Sequence, residues 1–326
     1  MRLAPPVQEF LDAAPKESLD HLTVHEQRQR IRQLSDLTYH RFGRPAEASF
    51  VATDHTVPVD RGEITVRAYR PSTQGPLPGH VELHGGGWWL GSIDEHVNEA
   101  ICRYRCVHAY CVVFAVEYRL APEHPFPTAV NDVYAALHWI VGHATELGLD
   151  ASRISIGGTS AGGNLAAAVA LLARDTAGPR PVFQLLEVPA LDLTGESMRA
   201  ALAAEELAPI ANHIAEFETP LRRYFRDPAD ALLPLASPVH ADDLSGLPPA
   251  HIMTAEYDPL REEGEWYARR LAEAGVPATV TRYAGAIHAT SFLTRVWHPA
   301  QAWQHDAAVR IRQAHERAPA TGKLFW

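Results

Sequence analysis

The chain has 326 residues, 46% of them hydrophobic and 21% charged, a balance that supports a sizeable buried core and excludes a disordered chain. A formal charge of −10 with no Lys- or Arg-rich run argues against nucleic acid or an anionic membrane as the main partner. No stretch is long and apolar enough to span a bilayer, and the first residues carry Glu9, Asp12 and Glu17 where a secretory signal needs an apolar centre, so a cytoplasmic protein without membrane insertion is expected.

Residues 1–45 hold a short apolar segment at Val7–Leu11 and a helical pattern at Val24–Phe42, with no recognisable catalytic residue. They read as N-terminal cap helices, followed by a catalytic domain over 46–326. Phe50–Val59 and Glu63–Tyr69 alternate in polarity around Asp60-Arg61-Gly62, which predicts an antiparallel hairpin. Strand-like and helix-like segments then take turns: strand His80–His84, helix Glu95–Cys106, strand Cys111–Tyr118, helix Ala129–Ala144, strand Arg153–Gly157 and helix Ala161–Arg174. The rhythm resumes with strands Val182–Val188, Ala250–Ala255 and Ala278–Tyr283 and helices Glu262–Ala274 and Ala300–Ala314. Such alternation means crossover units, and hence an α/β fold whose mostly parallel central sheet has helices on both faces. Leu193 to Ser237 breaks the pattern with a charged and aromatic stretch that includes Glu216-Phe217-Glu218 and Tyr224-Phe225. An insertion there, over about 194–237, would sit above the carboxyl edge of the sheet, where ligands bind in such folds, and is read as the second half of the cap.

Cys102, Cys106 and Cys111 are too few and too clustered for a disulfide framework. His108 between them raises a metal reading, but small buried thiols at a helix and a strand explain the spacing, and no metal site is assigned.

Gly158-Thr159-Ser160-Ala161-Gly162 follows one predicted strand and opens a helix of small residues. This is the context of a nucleophile elbow, in which glycines flank the serine because the turn is too sharp for side chains there. The turn presents the Ser160 hydroxyl and aims the helix N-terminus at developing negative charge. A serine acting merely as helix N-cap is the competing reading.

A hydroxyl nucleophile needs a base, and the base an orienting acid. Asp258 lies just past strand Ala250–Ala255 and His288 in the loop after strand Ala278–Tyr283, so both converge on the edge that carries Ser160. Glu256 is the rival acid, and His298 and His305, in or beside the last helix, are poorer bases. Glu262 and Glu263 read as first-turn carboxylates favoured by the helix dipole.

His84-Gly85-Gly86-Gly87-Trp88 ends another strand. Consecutive glycines let backbone amides approach a carbonyl oxygen closely, so the amides of Gly86, Gly87 and Ala161 are assigned to an oxyanion hole. Trp88 and Trp89 are expected to wall the acyl or alcohol pocket, a plain packing role standing nearly level for Trp89.

At these residues the chain resembles the hormone-sensitive-lipase-like branch of the α/β-hydrolase esterases, known as family IV among bacterial esterases. The resemblance rests on His84–Trp88, on Tyr118-Arg119-Leu120-Ala121-Pro122-Glu123-His124-Pro125-Phe126-Pro127, on the Ser160 elbow running to Gly163-Asn164-Leu165, and on Asp258-Pro259-Leu260-Arg261. It spans roughly Phe50 to Phe292 and implies an α/β-hydrolase fold with a serine esterase acting on short- to medium-chain acyl esters, needing no metal or cofactor and often a homodimer. Thr159 stands where many relatives have an acid, Ala289 where glycine is usual, and His80 and Glu82 make one strand more polar than a buried parallel strand should be. The expectation is therefore a serine carboxylesterase with a small-molecule ester substrate. Lactone, amide or carbamate hydrolysis by the same residues, and a non-catalytic receptor on the same fold, are the alternatives.

Overall fold

Apolar runs flanked by amphipathic ones assemble into one sheet sandwiched by helices. The computed structural model describes residues 3–14, 18–46, 51–204, 207, 210 and 218–318. Its strands are β1 (Val51–Val59), β2 (Gly62–Arg70), β3 (Leu77–Leu83), β4 (Val112–Glu117), β5 (Leu149–Thr159), β6 (Gln184–Glu187), β7 (Ala250–Tyr257) and β8 (Ala278–Ile287). They form an 8-stranded sheet in the order β1-β2-β4-β3-β5-β6-β7-β8. The expected hairpin is β1–β2, entering the sheet by antiparallel pairing of β2 with β4, and from β4 through β8 every neighbour is parallel. Phe50, the expected first residue of that hairpin, lies outside the described residues.

The main helices packed on the sheet are α3 (His96–His108), α4 (Thr128–Gly142), α5 (Ala161–Asp175), α8 (Arg261–Glu273) and α9 (His298–Arg317). Helices α4, α5 and α8 cover one face of the sheet, α3 and α9 the other. Before the sheet come α1 (Pro5–Asp12) and α2 (Val24–Phe42). Pro5 sits at the start of α1, and α2 opens with a capping box in which the Thr23 side chain accepts from the Glu26 amide while the Glu26 carboxylate accepts from the Thr23 amide. Within the expected insertion, α6 (Glu196–Leu202) and α7 (Glu218–Tyr224) are described, whereas Glu216 and Phe217 lie outside the described residues. No helix among the described residues is long and apolar enough to cross a membrane.

The polarity of β3 has a structural reason. Side chains alternate across a strand, so Val81 and Leu83 join the apolar core under α4 and α5 while His80 and Glu82 face α3 and α9. There the fully buried Arg105 of α3 pairs with both Glu82 and Glu187, and Trp303 of α9 donates its indole N–H to Glu187 at 2.5 Å. His80 contacts Glu82 at 3.0 Å and Ser155 at 2.8 Å, and Ser155 in turn meets His315 at 2.9 Å. Mutual pairing is what makes burial of these groups tolerable. The three cysteines are buried free thiols, and burial pushes the Cys106 thiol up to about 12, its Sγ contacting the Tyr69 carbonyl.

Candidate active site

The turn from β5 into α5 is as tight as its glycines imply. A Cβ on Gly162 would strike the Leu83 carbonyl, and one on Gly158 would come within 2.6 Å of the Gly162 backbone. Ser160 itself has φ 58° and ψ −116°, outside the ordinary regions for an L-residue, and its side chain does not cap α5, which removes the N-cap reading. The elbow is fastened from below by the Ser160 amide, which donates to the Glu187 carbonyl at 2.8 Å.

His288 follows β8 and Asp258 follows β7, and parallel pairing of the two strands brings the loops together. His288 Nε2 lies 2.9 Å from Ser160 Oγ, and Nδ1 lies 2.8 Å from Asp258 Oδ2. Asp258 is 2% exposed, and its other oxygen accepts the Leu260 amide at 2.9 Å, so the carboxylate is held on both sides. Burial pulls the His288 pKa down, but the Asp258 charge and hydrogen bond outweigh it and set the imidazole above its ordinary value of 6.5. The rival Glu256 is engaged elsewhere, accepting the Gly285 amide at 2.6 Å. His298 and His305 belong to α9.

The glycine loop after β3 adopts φ 118° at Gly86 and 59° at Gly87, conformations glycine takes without strain. Among the described residues the amides of Gly86, Gly87 and Ala161 take no intramolecular acceptor. The loop is braced by Tyr118, which stacks on His84 at 4.2 Å and donates its hydroxyl to the His84 carbonyl.

Ser160 stands between two cavities. A wide one of about 750 Å³ runs from Ser160, His288 and the glycine loop towards α1 and α2, with Phe10, Ile31, Leu34 and Phe292 among its apolar walls. A narrow one of about 50 Å³ lies on the other side against Trp88, Met198, Leu221 and Glu263. Trp88 is buried, stacks on Tyr224 of α7 at 4.6 Å and so lines the narrow recess. Trp89 is placed differently from expectation: it lines neither cavity, its ring packing under the Arg223 guanidinium at 3.7 Å while its carbonyl accepts Arg28 Nε. Two aromatic neighbours on an irregular loop point in different directions, and the φ of 62° at Trp88 divides them.

Glu263 was legible only as a helix-start carboxylate, yet it is 1% exposed, and Oε2 accepts the amides of Leu191 and Asp192. Burial drives its pKa well above the carboxylate range. Its glycine neighbour was the available signal: Gly264 packs its backbone against Ile252 and Thr254, which turns this side of α8 inward.

A family model described as alpha/beta hydrolase fold matches residues 80–292. The carboxylic ester hydrolase LipN of Mycobacterium tuberculosis is 46% identical over 241 residues, 72% of this chain and 62% of LipN, less than two thirds of that protein. An arylesterase of Saccharolobus solfataricus is 38% identical over 297 residues, 89% of this chain and 92% of its own. Among solved structures, a hyperthermophilic esterase from Pyrobaculum calidifontis superposes with a TM-score of 0.85 at 37% identity, covering 96% of this chain and 99% of that one.

Proposed function

The chain belongs to the hormone-sensitive-lipase-like branch of the α/β-hydrolase family, and from that premise we propose that it is a serine carboxylesterase of short- to medium-chain esters working through Ser160, His288 and Asp258. Its relatives are named ester hydrolases and esterases, and the observation that carries the reading here is the unbroken contact from Asp258 through His288 to Ser160.

In this reading His288 Nε2 takes the Ser160 proton as Oγ attacks the ester carbonyl, and Asp258 holds the ring so that Nε2 is the free nitrogen. The tetrahedral oxyanion is held by the amides of Gly86, Gly87 and Ala161, which are aimed by glycine backbone and by the start of α5. The imidazolium, stabilised by Asp258, then protonates the leaving alcohol, and the acyl group stays on Oγ. Water activated by His288 repeats the sequence, releasing the acid and restoring Ser160. Two unequal cavities meeting at Ser160 support an ester with one extended apolar arm and one small one.

Initial rates on p-nitrophenyl esters from acetyl to dodecanoyl, wild type beside Ser160→Ala, test the proposal. Serine-dependent turnover that peaks at shorter chains is expected. A folded wild-type protein that turns over none of these esters, or a Ser160→Ala variant with near-wild-type rates, would overturn it.

A further inference from the structure

The wide cavity is apolar along most of its length but holds a carboxyl group that the acyl-transfer steps do not use. Glu95 lines it and is 9% exposed. Placed as N-cap of α3, it does not cap that helix. The His96 amide is taken instead by Asp36 of α2 at 2.9 Å, while Glu95 Oε2 accepts the Ser35 hydroxyl of α2 at 3.0 Å. Ser35 lines the same cavity. Oε1 has no partner among the described residues, and no cation pairs with the carboxyl: the nearby Arg32 is engaged with Asp94. Asn98 also lines the cavity; one of its two amide N–H groups donates to the Ser92 carbonyl, and its oxygen has no partner among the described residues.

An acceptor on a cavity wall with no partner in the protein is open to any donor that enters the cavity. Burial pushes the Glu95 carboxyl up to about 7; the Ser35 hydrogen bond and the Arg32 charge oppose that shift, and Asp36 and Glu117 add to it. In its ionised form the carboxyl only accepts, so what completes Oε1 is a donor.

Building on the esterase reading, we propose that Glu95 is a specificity-determining residue that accepts a hydrogen bond from a hydroxyl or ammonium group on the ester arm occupying the wide cavity. The preferred substrate then carries an apolar run between its ester group and a hydrogen-bond-donating terminus.

The test compares kcat/KM for methyl hexanoate and octanoate with their ω-hydroxy and ω-amino counterparts, and for hexyl acetate with ω-hydroxyhexyl acetate, so that either arm can enter the cavity. The wild-type enzyme is expected to favour the donor-ended ester in at least one series, and Glu95→Leu to lower that ratio by about tenfold or more. Glu95→Gln keeps an acceptor without the charge, so a hydroxyl preference survives it and an ammonium preference falls. The Leu variant removes a buried carboxyl but leaves the Ser35 hydroxyl without its acceptor, so its Tm is read beside the ratio. Should that variant not fold, Glu95→Thr serves for the same ratio. A ratio unmoved by these changes in every series, or a lower Tm with unmoved ratios, overturns the proposal. Turnover of p-nitrophenyl acetate by the wild type and its loss in Ser160→Ala check the esterase reading separately.

Discussion

Two serine–histidine pairs occur along one strand and the turn that ends it: Ser155 with His315 beneath the sheet and Ser160 with His288 at its edge, each at 2.9 Å. Ser155 is fully buried within regular β5, shares its hydroxyl with His80, and faces an imidazole that burial and the Arg153 charge push down to about 4. Ser160 stands on a strained turn open to two cavities, and its imidazole is raised by a buried carboxylate. The side chains are alike; access, backbone direction and the third group set the pairs apart. A serine near a histidine is therefore a poor sign of nucleophilic chemistry until the acid behind the histidine and the space before the serine are known.

The sharpest way to break this comparison is to remove each hydroxyl. Ser160→Ala should lower kcat/KM for esters by roughly 10⁴–10⁶-fold with Tm retained. Ser155→Ala should leave the rate within about threefold and lower Tm instead, by the loss of about 1–3 kcal/mol when buried partners go unsatisfied. If Ser155→Ala abolished turnover in a folded protein, the assignment of the two pairs would be reversed.

Next in size is the ion network beside Ser155. Arg105→Leu leaves Glu82 and Glu187 buried without their cation and should cost about 3–5 kcal/mol in denaturant unfolding. Apolar replacement of Glu82, Arg105 and Glu187 together should recover most of that loss. A single variant as stable as the wild type would mean that water reaches these groups.

The histidines also differ in pH response. The proposed mechanism requires neutral His288, whose pKa is raised, so the acid limb of kcat/KM should have its midpoint above 6.5 and activity should fall as pH drops through it. His315, whose pKa is shifted the other way, acts on stability. Folded, it stays neutral down to about 4, whereas the unfolded imidazole binds a proton near 6.5, so stability falls as pH falls between those values. His315→Gln should flatten that slope, as read by unfolding at several pH values. The smallest effect is on selectivity: Trp88→Ala widens the narrow recess and should shift the chain-length profile towards the longer esters, about tenfold between the extremes. An unchanged profile removes Trp88 from the substrate's path.

Much of this was legible from the chain because a tight elbow and a glycine loop leave fixed residue spacings, and because residues after parallel strands share one edge. Ser160, Asp258 and His288 could be placed together on that ground alone. Periodicity found the strands but not all their ends: β3 begins at Leu77, β5 at Leu149, β7 runs on to Tyr257 and β8 to Ile287, and β6 is as short as Gln184–Glu187. The direction of a side chain on irregular backbone was not legible, so a pocket role and a packing role stood nearly level for Trp89. Neither were long-range pairings: nothing near Arg105 in sequence announces Glu187, and nothing near Glu95 announces Ser35. The polarity of His80 and Glu82 was the visible half of a network whose other half lay on α3 and α9.

The wide cavity draws part of its far wall from α1 and α2, whereas Ser160, Asp258 and His288 all sit just past the ends of strands of the sheet. Part of the wall that would meet a substrate is thus encoded in a stretch of chain separate from the groups proposed to cleave it. Exchange of the segment Pro5–Phe42 between relatives is a route to new selectivity by recombination, a modular inheritance in which the hydrolytic machinery need not be reinvented.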